Sequence, residues 1–281
     1  CELVGISTVG RDSVLRAGVA RTVCSHFGRP DIPVVAGCDR PFLPNPYWDD
    51  HHVNQHGIIP STPEAVPARP NAAVEQMGTA IEAAPGEITL LTVGMFSNAA
   101  LLLTGEPEKA ALLKSVYSMG GRFATATEPP RGECNVMLDA VAASIVAERS
   151  RVPFTLVPSN VTGSLGMDDG TMYALLAGDR LGIVRKCCEA WIRAKGKPGT
   201  GLHDPFTAAC VFDFSYCRWK QGRVSIPLTH RRLDRDEALA VGAVNGYAAF
   251  EPSSGGPHRI AVDRDRDRFM EHLDDVFSRA R

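Results

Sequence analysis

This chain predicts an α/β fold, a mostly parallel sheet covered by helices, and three observations carry that prediction. Apolar runs of strand length alternate with longer segments of helical periodicity from residue 2 to residue 195. Of the 281 residues, 44% are hydrophobic, enough to bury a large core. The residues after each strand-like run are small and polar, as a ligand cleft at the carboxyl ends of parallel strands requires.

Taken in order, Glu2 to Ser7 reads as a strand, Ser13 to Phe27 as a helix and Val34-Val35-Ala36 as a short buried strand. Pro63 to Ala83 then reads as a helix, Ile88 to Val93 as a strand, Ser97 to Leu103 as a helix and Ser115 to Met119 as a strand. A helix at Asp139 to Arg149, a strand at Phe154 to Val157 and a helix at Thr171 to Lys195 continue the alternation. After Pro205 the order changes. A helix from Phe206 to Phe214 precedes strand-like pieces at Arg223 to Ile226 and Ala238 to Val244, a strand at Arg259 to Val262 and a final helix from Arg264 to Arg279. The change reads as a small C-terminal subregion appended to a single domain spanning residues 1–281.

Ligands of such sheets sit beyond the carboxyl ends of the strands, which directs attention to Thr8 to Asp12, Val93 to Asn98, Met119-Gly120-Gly121 and Ser159 to Thr162. None of these turns is a G-x-G-x-x-G or a G-x-x-x-x-G-K-[ST] motif, so a nucleotide-phosphate cradle has no support. Lys and Arg total 30 against 32 Asp and Glu, and the net charge of -2 argues against nucleic acid or an anionic membrane as partner. Arg231-Arg232 and the Arg264 to Arg268 stretch are mixed with Asp and read as solvated faces. No apolar run reaches the roughly 18 residues of a membrane span, and the N-terminus lacks the order of a signal peptide, so the cytoplasm is the expected compartment. The eight cysteines form no C-x-x-C pair and are expected to be reduced and mostly buried. Asn160-Val161-Thr162 matches a glycosylation sequon, for which no use is expected without a secretory signal.

Leu202-His203-Asp204-Pro205 places a possible proton donor beside a hard oxygen ligand at a loop-to-helix junction. Two readings stand side by side: an active-site corner, and an ordinary helix opening with Asp204 as N-cap and Pro205 at the first helical position. Asp49-Asp50-His51-His52 with His56 also suggests a metal. Consecutive side chains of an extended segment point in opposite directions, so the stretch reads as a loop over the cleft rather than a zinc site.

Set in order, several stretches resemble the inosine-uridine nucleoside hydrolase family: Val4-Gly5-Ile6-Ser7-Thr8-Val9, Gly28-Arg29-Pro30-Asp31-Ile32-Pro33-Val34 with Ala36-Gly37, and Gln55-His56-Gly57. Thr92-Val93-Gly94-Met95-Phe96-Ser97-Asn98, Met119-Gly120-Gly121, Glu133-Cys134-Asn135 and Leu202-His203-Asp204-Pro205 follow in the family's order. The resemblance implies a Rossmann-like open sheet and hydrolysis of the N-glycosidic bond of a purine or pyrimidine ribonucleoside to base and ribose. That chemistry passes through an oxocarbenium-like sugar and needs an activated water on one face and a proton donor for the departing base. The resemblance also implies calcium as cofactor, with Asp204 and the Val93 carbonyl among its ligands. By the same resemblance His203 is the leaving-group acid, His56 a histidine near the base, and Glu133 and Asn135 the ribose-binding pair. Met119 would pack beside the sugar, and Asp12 and Thr127 stand where the family has asparagines. Family members are homodimers or homotetramers, which is the expected assembly.

The family's N-terminal D-x-D-x-x-x-D-D motif, source of further calcium ligands and of the general base, has no counterpart in these residues. Because the chain starts at Cys1, not Met, and enters a strand almost at once, the expectation is a fragment lacking the family's first strand and helix. The alternative is a catalytically impaired homologue that binds nucleoside or ribose. Cys134, where an aromatic residue is usual, adds to the divergence.

Overall fold

The computed structural model describes residues 1–43, 59, 71–125, 129, 131–196, 198–228 and 247–280. In chain order the elements begin with β1 (Ile6–Thr8), α1 (Ser13–His26), β2 (Val34–Ala36), α2 (Ala72–Ala83), β3 (Thr89–Thr92), α3 (Ser97–Gly105), α4 (Pro107–Ala110) and β4 (Ser115–Met119). Next come α5 (Cys134–Leu138), α6 (Ala140–Arg149), β5 (Phe154–Val157), α7 (Ser159–Thr162), β6 (Gly166–Met167), α8 (Asp169–Leu175) and α9 (Gly182–Lys195). The last are β7 (Thr200–Gly201), α10 (His203–Phe212), β8 (Cys217–Ser225), β9 (Ala249–Pro252), β10 (His258–Arg264) and α11 (Arg266–Ser278).

Six strands form the main sheet in the order β3-β4-β5-β10-β8-β9. The β3–β4, β4–β5 and β5–β10 pairs are parallel, and β8 and β9 continue antiparallel to the edge. The expected mostly parallel sheet flanked by helices is therefore present. Its C-terminal part is appended in the literal sense, since β10 lies beside β5 and carries β8 and β9 outward. A separate parallel pair, β1–β2, aligns Ile6 with Val34 and Thr8 with Ala36, and a short antiparallel pair joins β6 to β7.

The sequence Phe-Thr-Leu-Val of β5 is buried at all four positions, as a parallel strand covered on both faces must be. Alternation sends neighbouring residues into opposite layers. Val116, Phe154, Leu156 and Ile260 pack with Phe96, Ala99, Ala142 and Val146 from α3 and α6. Val157 and Ala261 pack on the other face with Phe206, Cys210, Phe269 and Leu273 from α10 and α11. Phe206 and Phe269 meet edge to face at 4.9 Å and lock α10 onto α11. Full burial of Phe206 makes its truncation to Ala cost about 3–5 kcal/mol.

Several elements differ from the sequence reading, each for a local reason. The single helix expected from Thr171 to Lys195 is two, α8 and α9, because Gly178 takes a φ of 90° between them. Glu133 to Asn135, a polar loop by pattern, opens the short helix α5. The strand expected at Arg223 to Ile226 begins earlier, at Cys217, its outward Arg, Lys and Gln having hidden the pattern. Helix α10 starts at His203 with Leu202 as N-cap, so Asp204 lies inside the first turn and does not cap the helix. The helix expected over 63–83 begins at Ala72 with Asn71 as its N-cap; residues 63–70, like the piece expected at 238–244, lie outside the described residues. Of the cysteines expected to be mostly buried, Cys24, Cys210 and Cys217 are; Cys38, Cys134, Cys187 and Cys188 are half-buried and Cys1 is exposed.

Candidate active site

Strand β4 ends on Met119, and the chain then turns through Gly120 and Gly121. Gly121 has a φ of 77°, the left-handed region that favours glycine, and its N–H donates to Glu133 Oε2 at 2.9 Å. Glu133 is the N-cap of α5. Its Oε1 accepts from the Asn135 N–H at 3.0 Å and its Oε2 from the Val136 N–H at 3.3 Å. Burial raises the pKa of this carboxyl, and the backbone N–H groups oppose that rise. Asn135 turns its Nδ2 back to the Met119 carbonyl at 3.0 Å, with the Met119 sulfur at 3.3 Å. Three residues named from the sequence thus form one cross-linked unit at the carboxyl end of β4.

Strand β5 delivers the next group. After Pro158, helix α7 ends on Thr162, whose hydroxyl oxygen is 2.7 Å from His203 Nδ1. His203 opens α10, held there by the Leu202 N–H donating to the Leu165 carbonyl at 2.9 Å. Burial lowers the His203 pKa and favours the neutral ring. Gly201 leaves room for that ring, since a Cβ there would lie 2.7 Å from its Cδ2 and Nε2. Asp204, next along, faces solvent at the cleft. Enough protein still surrounds its carboxyl for desolvation, followed by the charge of Glu133, to push its pKa up to about 6. Glu133 and Asp204 therefore belong to one electrostatic unit. The half-buried thiol of Cys134 is pushed up to about 11, by burial first and then by Glu133, with Asp204 adding a smaller push.

Strands β1 and β3 supply the remaining rim. Val93 follows β3 and is 41% exposed. Asp12 is exposed, has a φ of 52° and makes no side-chain cap bond to α1. Asp39 does that work, accepting from the Ser13 N–H at 2.9 Å. His56 and Thr127 lie outside the described residues, as does the Asp49-Asp50-His51-His52 stretch.

Asp204 and the Val93 carbonyl are oxygen donors of the kind a hard cation takes, yet calcium requires six to eight such ligands. Among the described residues no group of three or more His, Cys, Asp or Glu is placed to hold a metal ion. These residues do not by themselves make a calcium site. Among the described residues, too, no helix is long and apolar enough to cross a membrane. Sequence reasoning missed the parts played by Thr162 and Gly201. Thr162 lay in a turn already marked as cleft-facing, but its pairing with a residue 41 positions away required the fold.

A sequence model described as inosine-uridine preferring nucleoside hydrolase matches residues 1–271. Uridine nucleosidase 1 of Arabidopsis thaliana is 27% identical over 237 residues, covering 80% of this chain and 70% of the relative. The pyrimidine-specific ribonucleoside hydrolase RihA of Klebsiella pneumoniae is 30% identical over 198 residues, 65% of this chain and 61% of the relative. In structure, the purine-preferring ribonucleoside hydrolase from Gardnerella vaginalis superposes with a TM-score of 0.78 at 20% identity, covering 99% of this chain and 90% of the other. At that identity the superposition bears on the fold, and the α/β architecture is shared. The match along nearly the whole sequence goes further: this chain belongs to the inosine-uridine preferring nucleoside hydrolase family, hydrolases that act on N-glycosyl bonds.

Proposed function

We propose that this protein hydrolyses the N-glycosidic bond of purine or pyrimidine ribonucleosides to free base and ribose, with His203 delivering the proton to the departing base. The observation that carries the reading is the junction of His203 and Asp204 at the head of α10, with the charge of Glu133 felt at Asp204. In this reading the contact between the Thr162 hydroxyl oxygen and His203 Nδ1, 2.7 Å long, holds the ring and leaves Nε2 for substrate. To act as the acid the ring must carry a proton on both nitrogens; Nε2–H then passes to the departing base as the bond to the sugar breaks, and the ring returns to the neutral form that burial favours. Asn135, Glu133 and Met119 would receive the ribose, the first two by hydrogen bonds to its hydroxyls and Met119 by packing; that the three are joined to one another supports this reading. Asp12 and Thr127 would add contacts to the sugar, and His56 to the base. Asp204 and Val93 are the chain's contribution to a calcium ion, which would need further oxygen ligands. The assembly proposed is a homodimer or homotetramer, which light scattering would test.

The direct test is release of reducing sugar from inosine, uridine, cytidine and adenosine with calcium present, in parallel with titration calorimetry of the same nucleosides. Turnover of at least one supports hydrolysis. Binding without turnover replaces it with a nucleoside- or ribose-binding role, and neither binding nor turnover defeats both.

A further inference from the structure

The residues named for the site follow strands of two sheets, and among the described residues no strand ladder joins β1–β2 to the six-stranded sheet. A side chain that crosses the seam is Asn98, the second residue of α3, 7% exposed. Its Oδ1 accepts from the Cys38 N–H at 2.8 Å, just beyond β2. Its Nδ2 donates to the carbonyl of Thr8, the last residue of β1, at 2.9 Å and approaches Ser7 Oγ at 3.3 Å. The amide's orientation follows from its partners, since an N–H needs the oxygen and a carbonyl needs the NH2. Two close approaches mark the same seam. A Cβ on Gly37 would fall 2.4 Å from both Asn98 amide atoms, so only a bare backbone admits the side chain there. A Cβ on Gly94 would lie 3.0 Å from Val9 Cγ1, so the turn after β1 abuts the turn after β3.

We infer that Asn98 is a positioning residue that holds the Thr8–Asp12 turn in register with the Val93–Gly94 turn, and so sets the spacing of the two rim segments of the cleft. The inference rests on the proposed function for its consequence, not for its geometry. The Thr8 carbonyl also accepts from the Gly37 N–H at 3.0 Å, so one amide ties the ends of β1 and β2 and the start of α3 at a single point. Replacing it with Asp would set a carboxylate oxygen against the Thr8 carbonyl, and replacing it with Ala would strand the Cys38 N–H.

The test compares Asn98→Ala, Asn98→Asp and Gly37→Ala in the full chain by hydrogen exchange and by ribonucleoside kinetics. Each variant is expected to speed exchange of the Cys38 amide and of the residue 7–12 peptide by about tenfold or more, with β4 and β5 unchanged. KM for the best nucleoside is expected to rise about tenfold with a much smaller change in kcat, because a displaced rim weakens binding before and during the reaction alike. The Gly37→Ala/Asn98→Ala double variant should be no worse than Asn98→Ala, since the added methyl then fills the vacated space. Should Asn98→Ala fail to fold, Gly37→Ala alone decides. Unchanged exchange at the seam, or loss of protection spread evenly over the sheet, overturns the inference. A wild-type chain that neither cleaves nor binds any nucleoside overturns the proposed function instead, and the exchange data then judge the seam by themselves.

Discussion

The β4–β5–α10 side of the cleft and the β1–β3 side are both made of short parallel strands followed by turns, yet they are built to different depths. β5 is buried at every position, whereas β1 and β3 are half-buried at every position. On the deep side Glu133, Asn135 and Met119 form one hydrogen-bonded group and Thr162 and His203 another, with distances of 2.7–3.3 Å. On the shallow side Asp12 is exposed and Val93 is partly open to solvent. The difference teaches where chemistry can be tuned. Burial perturbs the pKa of Glu133 and His203, and desolvation followed by the charge of Glu133 that of Asp204.

The comparison breaks most visibly at His203. His203→Ala is expected to lower kcat for ribose release by about 10²–10⁴-fold, the usual loss when a general acid is removed; a wild-type rate from this variant would take the acid role away from it. Next in size, Glu133→Ala leaves the N–H groups of Gly121, Asn135 and Val136 without their acceptor in a buried place. It should cost about 2–4 kcal/mol in urea unfolding, whereas Asp12→Ala on the shallow side should stay within about 0.5 kcal/mol. Equal losses would erase the contrast between the two sides. Gly201→Ala sharpens it, for the new methyl can only displace the His203 ring. A drop of about tenfold in kcat is expected with little change in melting temperature, since a small misplacement of a reacting group is enough.

The smallest effect is on pH dependence. The Asp204 pKa is raised in the folded state to about 6 from 3.8, so proton uptake favours the fold. Its contribution to stability is present at acid pH and is lost as the pH rises toward and through 6. His203 runs the other way: with its folded pKa lowered, its contribution is present above the ordinary histidine range and is lost as pH falls. Melting curves from pH 4 to 7 for Asp204→Asn should show a flatter decline than the wild type over that interval, and the same slope in both would contradict the assignment.

Much of this was legible along the chain because its signals are local. Phe154 to Val157 and Ser115 to Met119 are strands by composition and length, and the structure places both in the parallel core. His203-Asp204 stood out as a polar pair next to an apolar run and lies at the opening of a helix, whereas Glu133-Cys134-Asn135 is by pattern a polar loop, stands out only through the family resemblance, and also opens a helix. What could not be read were partnerships over distance. Nothing near Thr162 announces His203, and nothing near Asn98 announces Cys38 and Thr8. The extent of β8 was hidden for a related reason: its Arg218, Lys220 and Arg223 are exposed, so it carries little apolar signal and owes its strand to the ladder with β10.

Alternation of short apolar runs with amphipathic segments is enough to specify an α/β protein, and ordered motifs are enough to point to a nucleoside hydrolase, because both are properties of residues near one another in the chain. Which carboxyl is buried, which hydroxyl meets the histidine ring and which turn abuts which are settled by packing. Those quantities depend on desolvation and on groups brought to within 3 Å from 41 to 90 residues away, as His203 is by Thr162 and the Thr8 carbonyl by Asn98.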